Sequence, residues 1–408
     1  MTAAHTALTF RYERLRSLSA GIIESAATTF LLLIAVRWFE AGATAKALVA
    51  AGGSFGLLLS PVIVSRVEAG GWPVSKAASF LSALGAASFL VVAAWPVVPV
   101  FVAGSMLAMA CSAAAIPLLT QMYQENYPEK ERGRLFSKAL MIRIAMAALF
   151  SELAGRALTA QLEWYRWLLL VVAGAFAFGS YCLWCCPTRA LTASGGSHPF
   201  AALRFAKTDR LFRLTLLAWM FMGLGNLMMY PLRVEYLANP RYGMELKVSV
   251  IALLVGVIPN LARLVMSPIW GWLFDHMNFF ALRVVLNLGF AVGILSFFTS
   301  QSLAGLAAGA VIFGVANAGG DVAWSLWVTK FAPPERVADY MSVHTFFTGV
   351  RGVLAPALGF HFVTILGMPV LGVISAVLIL VSILLLIPEI RLGKNARPAT
   401  ALEAEVSE

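Results

Sequence analysis

Twelve apolar runs, each long enough to cross a bilayer, constrain this chain more than any other feature. A membrane-spanning helix needs roughly 20 apolar residues at about 1.5 Å rise to traverse about 30 Å of hydrocarbon. The runs lie near residues 17–38, 44–65, 74–94, 97–122, 136–158, 164–186, 212–234, 247–273, 280–299, 302–328, 337–363 and 366–388. They are continuous rather than broken into alternating segments of about ten residues, so the pattern predicts helices and not a barrel. Only those two architectures satisfy their own backbone hydrogen bonds in hydrocarbon. Of the 408 residues, 60% are hydrophobic and 12% are charged, against about 25% charged in soluble domains. The expected fold is an all-α integral membrane protein.

The formal net charge is +10. Nucleic-acid binding is set aside, because no basic stripe with interleaved aromatics accompanies that charge. Lys and Arg gather instead in short polar segments. With the N-terminus inside, the inner segments hold 20 of them and the outer segments 7, while Arg143, Arg263 and Arg351 fall within runs. Cytoplasmic loops carry the excess of Lys and Arg, so both termini are expected in the cytoplasm. The opening stretch, MTAAHTALTFRYERLR, is too polar for a secretory signal, and the run after it contains Glu24. Cys182, Cys185 and Cys186 close one run. They read as apolar filler, since no second Cys/His pair has ligand spacing. No metal and no cofactor is expected.

YPEKERGRLFS, Tyr127 to Ser137, places five formal charges in eleven residues between two apolar runs. It returns as FAPPERVADYMS, Phe331 to Ser342: Glu131-Arg132 recurs as Glu335-Arg336, 204 residues on, and Ser137 as Ser342 after a one-residue gap. A second echo pairs LLSPVIVSRVEAGGWPVSK with VMSPIWGWLFDHMNFFALR. There Ser60, Pro61, Glu68 and Lys76 match Ser267, Pro268, Asp275 and Arg283, each 207 residues later. Two ordered matches in corresponding polar loops indicate two six-run halves related as parallel repeats. PTRALTASGGSHPFAALRFAKTDR lies between the halves and has linker composition. The expected division is a first bundle over 1–186, a cytoplasmic linker over 187–210, a second bundle over 211–388 and a cytoplasmic tail over 389–408.

Six plus six runs, a basic linker and GWLFDH after the eighth run resemble the major facilitator superfamily of secondary transporters. Its loop signature is Gly-x-x-x-Asp followed by basic residues. Gly271 and Asp275 fit it, with His276 where a stronger base is usual and Arg283 further on; in the first half Val64 replaces the glycine and Glu68 the aspartate. The resemblance implies twelve helices in two pseudo-symmetric six-helix bundles, alternating access to a small-molecule solute, and no enzymatic activity. A monomer in the lipid bilayer of the inner membrane, coupled to a proton or another ion, is the expected form. A carboxylate at one helix end can bond the free N–H groups starting a neighbouring helix and pair with a loop arginine. Arg66, Glu68, Arg132, Arg134, Gly271, Asp275, Arg283 and Arg336 are therefore candidates for a cytoplasmic latch; the alternative is that they only anchor helix ends.

An ionisable side chain inside a span is costly and is a functional candidate by default. Glu24, Arg143, Arg263, Asp321, His344 and Arg351 qualify, with Asn226, Asn260 and Asn317 as polar neighbours. The resemblance places all six ionisable residues on spans that line or flank the central cavity. The first five lie about 10–15 Å from the cytoplasmic ends. Shared depth predicts pairing of Glu24 with Arg143, and of Asp321 with Arg263 or Arg351. Such pairs either hold helices together or are displaced by solute or proton. Glu24, Asp321 and His344 are the proton candidates, and the arginines suit an anionic group. Three arginines against two carboxylates favour an anionic or zwitterionic solute. A uniporter, an efflux antiporter, a transporter-like sensor and an intramembrane lipid-handling protein remain as alternatives. No G-x-x-x-x-G-K-[ST] loop occurs, and the five histidines form no i, i+4 pair. Gly52-x-x-x-Gly56 and Gly305-x-x-x-Gly309 predict close helix contacts, and GVRGVLAPALG, Gly349 to Gly359, predicts a bend.

Overall fold

The computed structural model of the protein describes residues 3–190, 200–330 and 337–392. Long helices fill both halves. The first half holds α1 (Ala4–Arg37), α2 (Ala43–Ala69), α3 (Val74–Ala94), α4 (Val98–Asn126), α5 (Glu129–Ala160) and α6 (Leu162–Trp184). The second holds α7 (Arg210–Ala238), α8 (Val248–Phe274), α9 (Phe279–Phe298), α10 (Leu303–Trp324), α11 (Tyr340–Leu366) and α12 (Met368–Ile390). Eleven of these are long and apolar enough to cross a membrane. The exception is α5, along which Lys138, Arg143, Glu152 and Arg156 are spread. The largest departure from the expected limits is at α1, which begins at Ala4 rather than near residue 17. RYERLR is therefore helical, and it carries Glu13 and Arg16 into the bundle.

The packing repeats after six helices. In the first half α1 packs on α5 and α6, α2 on α4, and α3 on α4 and α6. In the second, α7 packs on α11 and α12, α8 on α10, and α9 on α10 and α12. Two further pairs join the halves, α2 with α11 and α5 with α8, and these exchange under the same six-helix shift. The loop echoes in the sequence thus correspond to a repeat in space.

One face of the molecule is closed where α1 ends, α2 begins, α7 ends and α8 begins. Lys46 Nζ lies 2.5 Å from Glu235 Oε1 there. Ser249 N donates to Thr159 Oγ1 at 2.7 Å, and Arg37 Nη2 donates to the Leu246 carbonyl at 3.0 Å. Small residues let the backbones come together: a Cβ added at Gly155 would stand 2.5 Å from that of Ala252, and one at Gly349 would stand 2.8 Å from the Leu58 nitrogen. Gly349 in the expected bend of α11 therefore serves a close crossing with α2, and Pro356 sits inside the continuous helix. The opposite face carries residues 185–190 and the start of α7, and is termed the linker face.

Two helices widen at mid-depth. Ala26–Phe30 of α1 and Leu253–Val257 of α8 are π-helical, a feature often found at functional sites. Each has a local cause. Thr28 Oγ1 donates to the Glu24 carbonyl at 2.9 Å and competes with the backbone ladder. Pro259 has no N–H for the Val255 carbonyl four residues back. Both widened turns lie beside ionisable residues.

Candidate functional site

A cavity of about 270 Å³ opens between the halves. Glu24 and Thr28 of α1 and Arg143 of α5 form its first-half wall. Tyr230 and Arg233 of α7, Val255, Pro259, Asn260 and Arg263 of α8, and Asn317 and Asp321 of α10 form the second.

Four of these side chains make one alternating row. Arg143 Nε stands 2.8 Å from Glu24 Oε2, an ion pair by distance whose N–H is not aimed for a hydrogen bond. The other Glu24 oxygen accepts from Arg263 Nη1 across the two halves. Arg263 Nε donates to Asp321 Oδ2 at 2.5 Å, and its Nη1 also reaches Asn260 Oδ1 at 3.4 Å. The expected pairings, Glu24 with Arg143 and Asp321 with Arg263, are both present. The bond from Glu24 to Arg263 adds the link between bundles. Formally the row is neutral. Its two ends are also open: Arg143 and Asp321 are 36% and 37% exposed.

Arg233 lies deeper, five residues before the sealed-face end of α7, and is 2% exposed. Its guanidinium carbon sits 4.3 Å from the Tyr230 ring centroid and 4.2 Å from that of Phe313. Nε donates to the Tyr230 carbonyl at 3.2 Å, while Nη1 has no partner. The run ends near residue 234, so this arginine stands at its outer edge, and the count of Lys and Arg takes it with an outer segment. The available signal is Tyr230 just before it on the helix, which a loop arginine would not need.

Of the remaining candidates, Asn317 lines the cavity and Asn226, His344 and Arg351 do not. Asn226 keeps an unpartnered buried oxygen on α7. Arg351, the alternative partner for Asp321, is not paired with it. It instead donates to the Trp219 carbonyl at 2.5 Å and to Thr348 Oγ1 at 3.2 Å. His344 is fully buried among Trp219, Trp324 and Trp327, with ring centroids 5.1 to 5.5 Å away, and neither of its ring nitrogens has a partner. His344 and Arg351 meet around Trp219 in a second polar cluster, inside the C-terminal bundle.

Arg283 belongs to that cluster, which corrects its placement in the latch. Asn278 caps α9 by accepting from Phe280 N at 2.9 Å, so Arg283 falls in the second turn of a helix. It points into the bundle, 1% exposed, with its guanidinium 3.6 Å from the Trp219 ring. Arg66 is exposed and Glu68 half-buried at the linker-face end of α2. Arg132 Nη2 donates to the carbonyls of Gln124 and Tyr127 at 3.3 and 3.4 Å, tying down the end of α4. Arg134 pairs locally with Glu131 at 3.0 Å. Gly271 and Asp275 lie in the helix Ile258–His276, and Arg336 lies outside the described residues. Burial pushes the Cys186 thiol up to about 12, with a smaller push from Glu13, so it stays a packed, protonated thiol.

Residues 246–406 match the family model described as Major Facilitator Superfamily. Solved structures share the fold over nearly the whole chain. The nucleoside transporter NupG superposes with a TM-score of 0.72 at 10% identity, covering 95% of this chain and 100% of its own. The xylose transporter XylE from E. coli, solved in a partially occluded inward-open conformation, gives 0.70 at 14% identity over 94% and 97% of the two chains. A POT family transporter in complex with a thioalcohol-conjugated peptide gives 0.70 at 12% identity over 94% and 96%. No protein of curated function matches the chain in sequence.

Proposed function

Taking the chain as a member of the Major Facilitator Superfamily, whose model its second half matches and whose fold both halves share, we propose that it carries a small anionic or zwitterionic solute through this cavity by alternating access, coupled to protons. It is a multi-pass membrane protein and a secondary transporter. The orientation that fits the excess of Lys and Arg on the linker face puts that face and both termini in the cytoplasm of a cell with an inner membrane. The chain then stands inward-facing, as a monomer, with its outer side closed.

The observation that carries this reading is the exposure gradient in the cavity. Asp321 and Arg143 are more than a third exposed, whereas Arg233, nearer the sealed face, is 2% exposed. Water therefore enters from the linker face and stops at the seal. Rocking about the crossings of α2 with α11 and α5 with α8 would part Lys46 from Glu235 and Thr159 from Ser249. It would bring the latch residues Arg66, Glu68, Arg132, Arg134, Gly271 and Asp275 together on the other side. The bond between Glu24 and Arg263 spans the halves at the cavity itself. A proton on Glu24 or Asp321 removes the charge that strengthens these bonds, which gives protonation a handle on the equilibrium between the two states.

The test is flux in proteoliposomes loaded with a pH-sensitive dye. Pools of carboxylic acids, amino acids, sugars and nucleosides are added outside. The expected result is proton movement with at least one pool, reduced at least tenfold in Glu24→Gln. Binding of a solute at the cavity without flux of either solute or proton makes the protein a sensor and contradicts the proposal.

A further inference from the structure

We infer that the solute carries a carboxylate, and that Arg233 is the residue that receives it. This rests on the cavity being the substrate site. Five charged side chains line that cavity: Glu24, Arg143, Arg233, Arg263 and Asp321. Four of them compensate one another in the row, two cations against two anions. Arg233 is left over. Its only hydrogen-bond partner among the described residues is the Tyr230 carbonyl, and no carboxylate among them stands within ion-pair distance of it.

A buried cation with no counter-charge is strongly disfavoured, and a guanidinium stays charged at any ordinary pH. The protein offsets part of the cost with the rings of Tyr230 and Phe313, each little more than 4 Å from the guanidinium carbon. Cation–π contacts of this kind are strongest when desolvated. The rings supply no hydrogen-bond acceptor in their planes, and Nη1, itself buried, has no partner, although the side chain lines the cavity. A guanidinium left with an unsatisfied N–H beside a cavity suits the planar, two-oxygen fork of a carboxylate.

Charge balance narrows the class further. One uncompensated positive charge is neutralised by one negative charge. A carboxylate supplies that, whereas a phosphate monoester near −2 overshoots it and leaves the cavity with net negative charge. The volume of about 270 Å³ lies just below the range of about 300–1,000 Å³ usual for small-molecule sites, so the solute is small. Arg233 sits at the closed end of the cavity. The carboxylate therefore enters first from the linker face and lies against the seal, with the rest of the solute beside the row.

The probes are the smallest head groups, which fit whatever the rest of the solute is. Full-length purified protein is titrated with sodium formate, acetate and propionate. Chloride, phosphate and the corresponding amides serve as controls at equal ionic strength, and Tm is followed. Wild type should rise by a few degrees with the carboxylates and not with the amides or phosphate, as expected for a ligand that binds only the folded state. Arg233→Gln should lose that rise. Arg233→Lys, which keeps the charge and loses the fork, should need at least tenfold more carboxylate for the same shift. The acid-against-amide contrast in wild type stands even where a variant fails to fold. Equal response to acids and amides, a preference for phosphate, no response to carboxylates, or an unchanged response in Arg233→Gln each overturn the assignment. A carboxylate response lost in Arg233→Gln, with no flux of any solute, keeps the anion site and overturns the transport reading. Flux of a neutral solute that ignores Arg233→Gln does the reverse.

Discussion

In the first half, Arg16 of α1 meets Glu13 through two bonds of 2.7 and 2.6 Å and Tyr123 of α4 at 3.0 Å. Tyr123 Oη in turn donates to Glu13 at 2.6 Å. In the second half, Trp327 stands 204 residues beyond Tyr123, the offset of the neighbouring loop echo, and Trp219 of α7 packs near it with ring centroids 6.1 Å apart. The buried cations there are Arg283 and Arg351, supported by indole rings and a carbonyl instead of a carboxylate. The two bundles share a topology and differ in how they hold charge. The first bundle closes its charges into a bonded triad. The second retains cations whose only support is aromatic and dipolar. A repeat in fold therefore does not imply a repeat in electrostatics. Among the described residues, the buried arginines without a carboxylate partner all lie in the second half.

That contrast makes opposite demands on substitution. Glu13→Gln leaves Arg16, half-buried at 18% exposure, charged and without its carboxylate. The expected loss is about 3–5 kcal/mol, read as a large fall in apparent Tm in detergent, and most of it should return in the double variant with Arg16→Met. A double variant no better than the single would break the comparison. Arg351→Met, at the other extreme, removes an unpaired buried cation and keeps an apolar stem of similar length. Its stability should be unchanged or raised by about 1 kcal/mol. A loss of about 3 kcal/mol or more would show that Arg351 has a compensating partner, and would narrow the difference between the two bundles.

Helix number, the repeat and two of the ion pairs are legible in the sequence because each rests on local pattern. A run of about 20 apolar residues has few alternatives, and Glu24, Arg143, Arg263 and Asp321 stand out against it. The details that fail depend on where helices end and which way side chains turn. Arg233 and Lys46 stand at the outer edges of their runs, where a charge tally assigns them to outer loops, yet one lines the cavity and the other bonds Glu235 across the halves. Arg283 stands beside a loop signature, but the Asn278 cap begins α9 early enough to turn it inward. Aromatic support for Arg283, Arg351 and His344 comes from α7 and α10, far apart in sequence, and no spacing rule reports such a contact.

The central claim is that the sealed face and the linker face open in alternation. It can be measured without knowing the solute. Spin labels are placed across the sealed face at Glu163→Cys and Lys247→Cys, and, in a second sample, across the linker face at Ala69→Cys and His276→Cys. Both use a background in which the four native cysteines are replaced, and distances are read by double electron–electron resonance. Lys46→Met with Glu235→Gln then removes the buried pair from the seal without leaving a lone charge. Alternating access predicts that this change lengthens the first distance and shortens the second, in matched populations. If both distances keep their original distributions, or if both lengthen together, the two faces are not coupled and alternating access is contradicted.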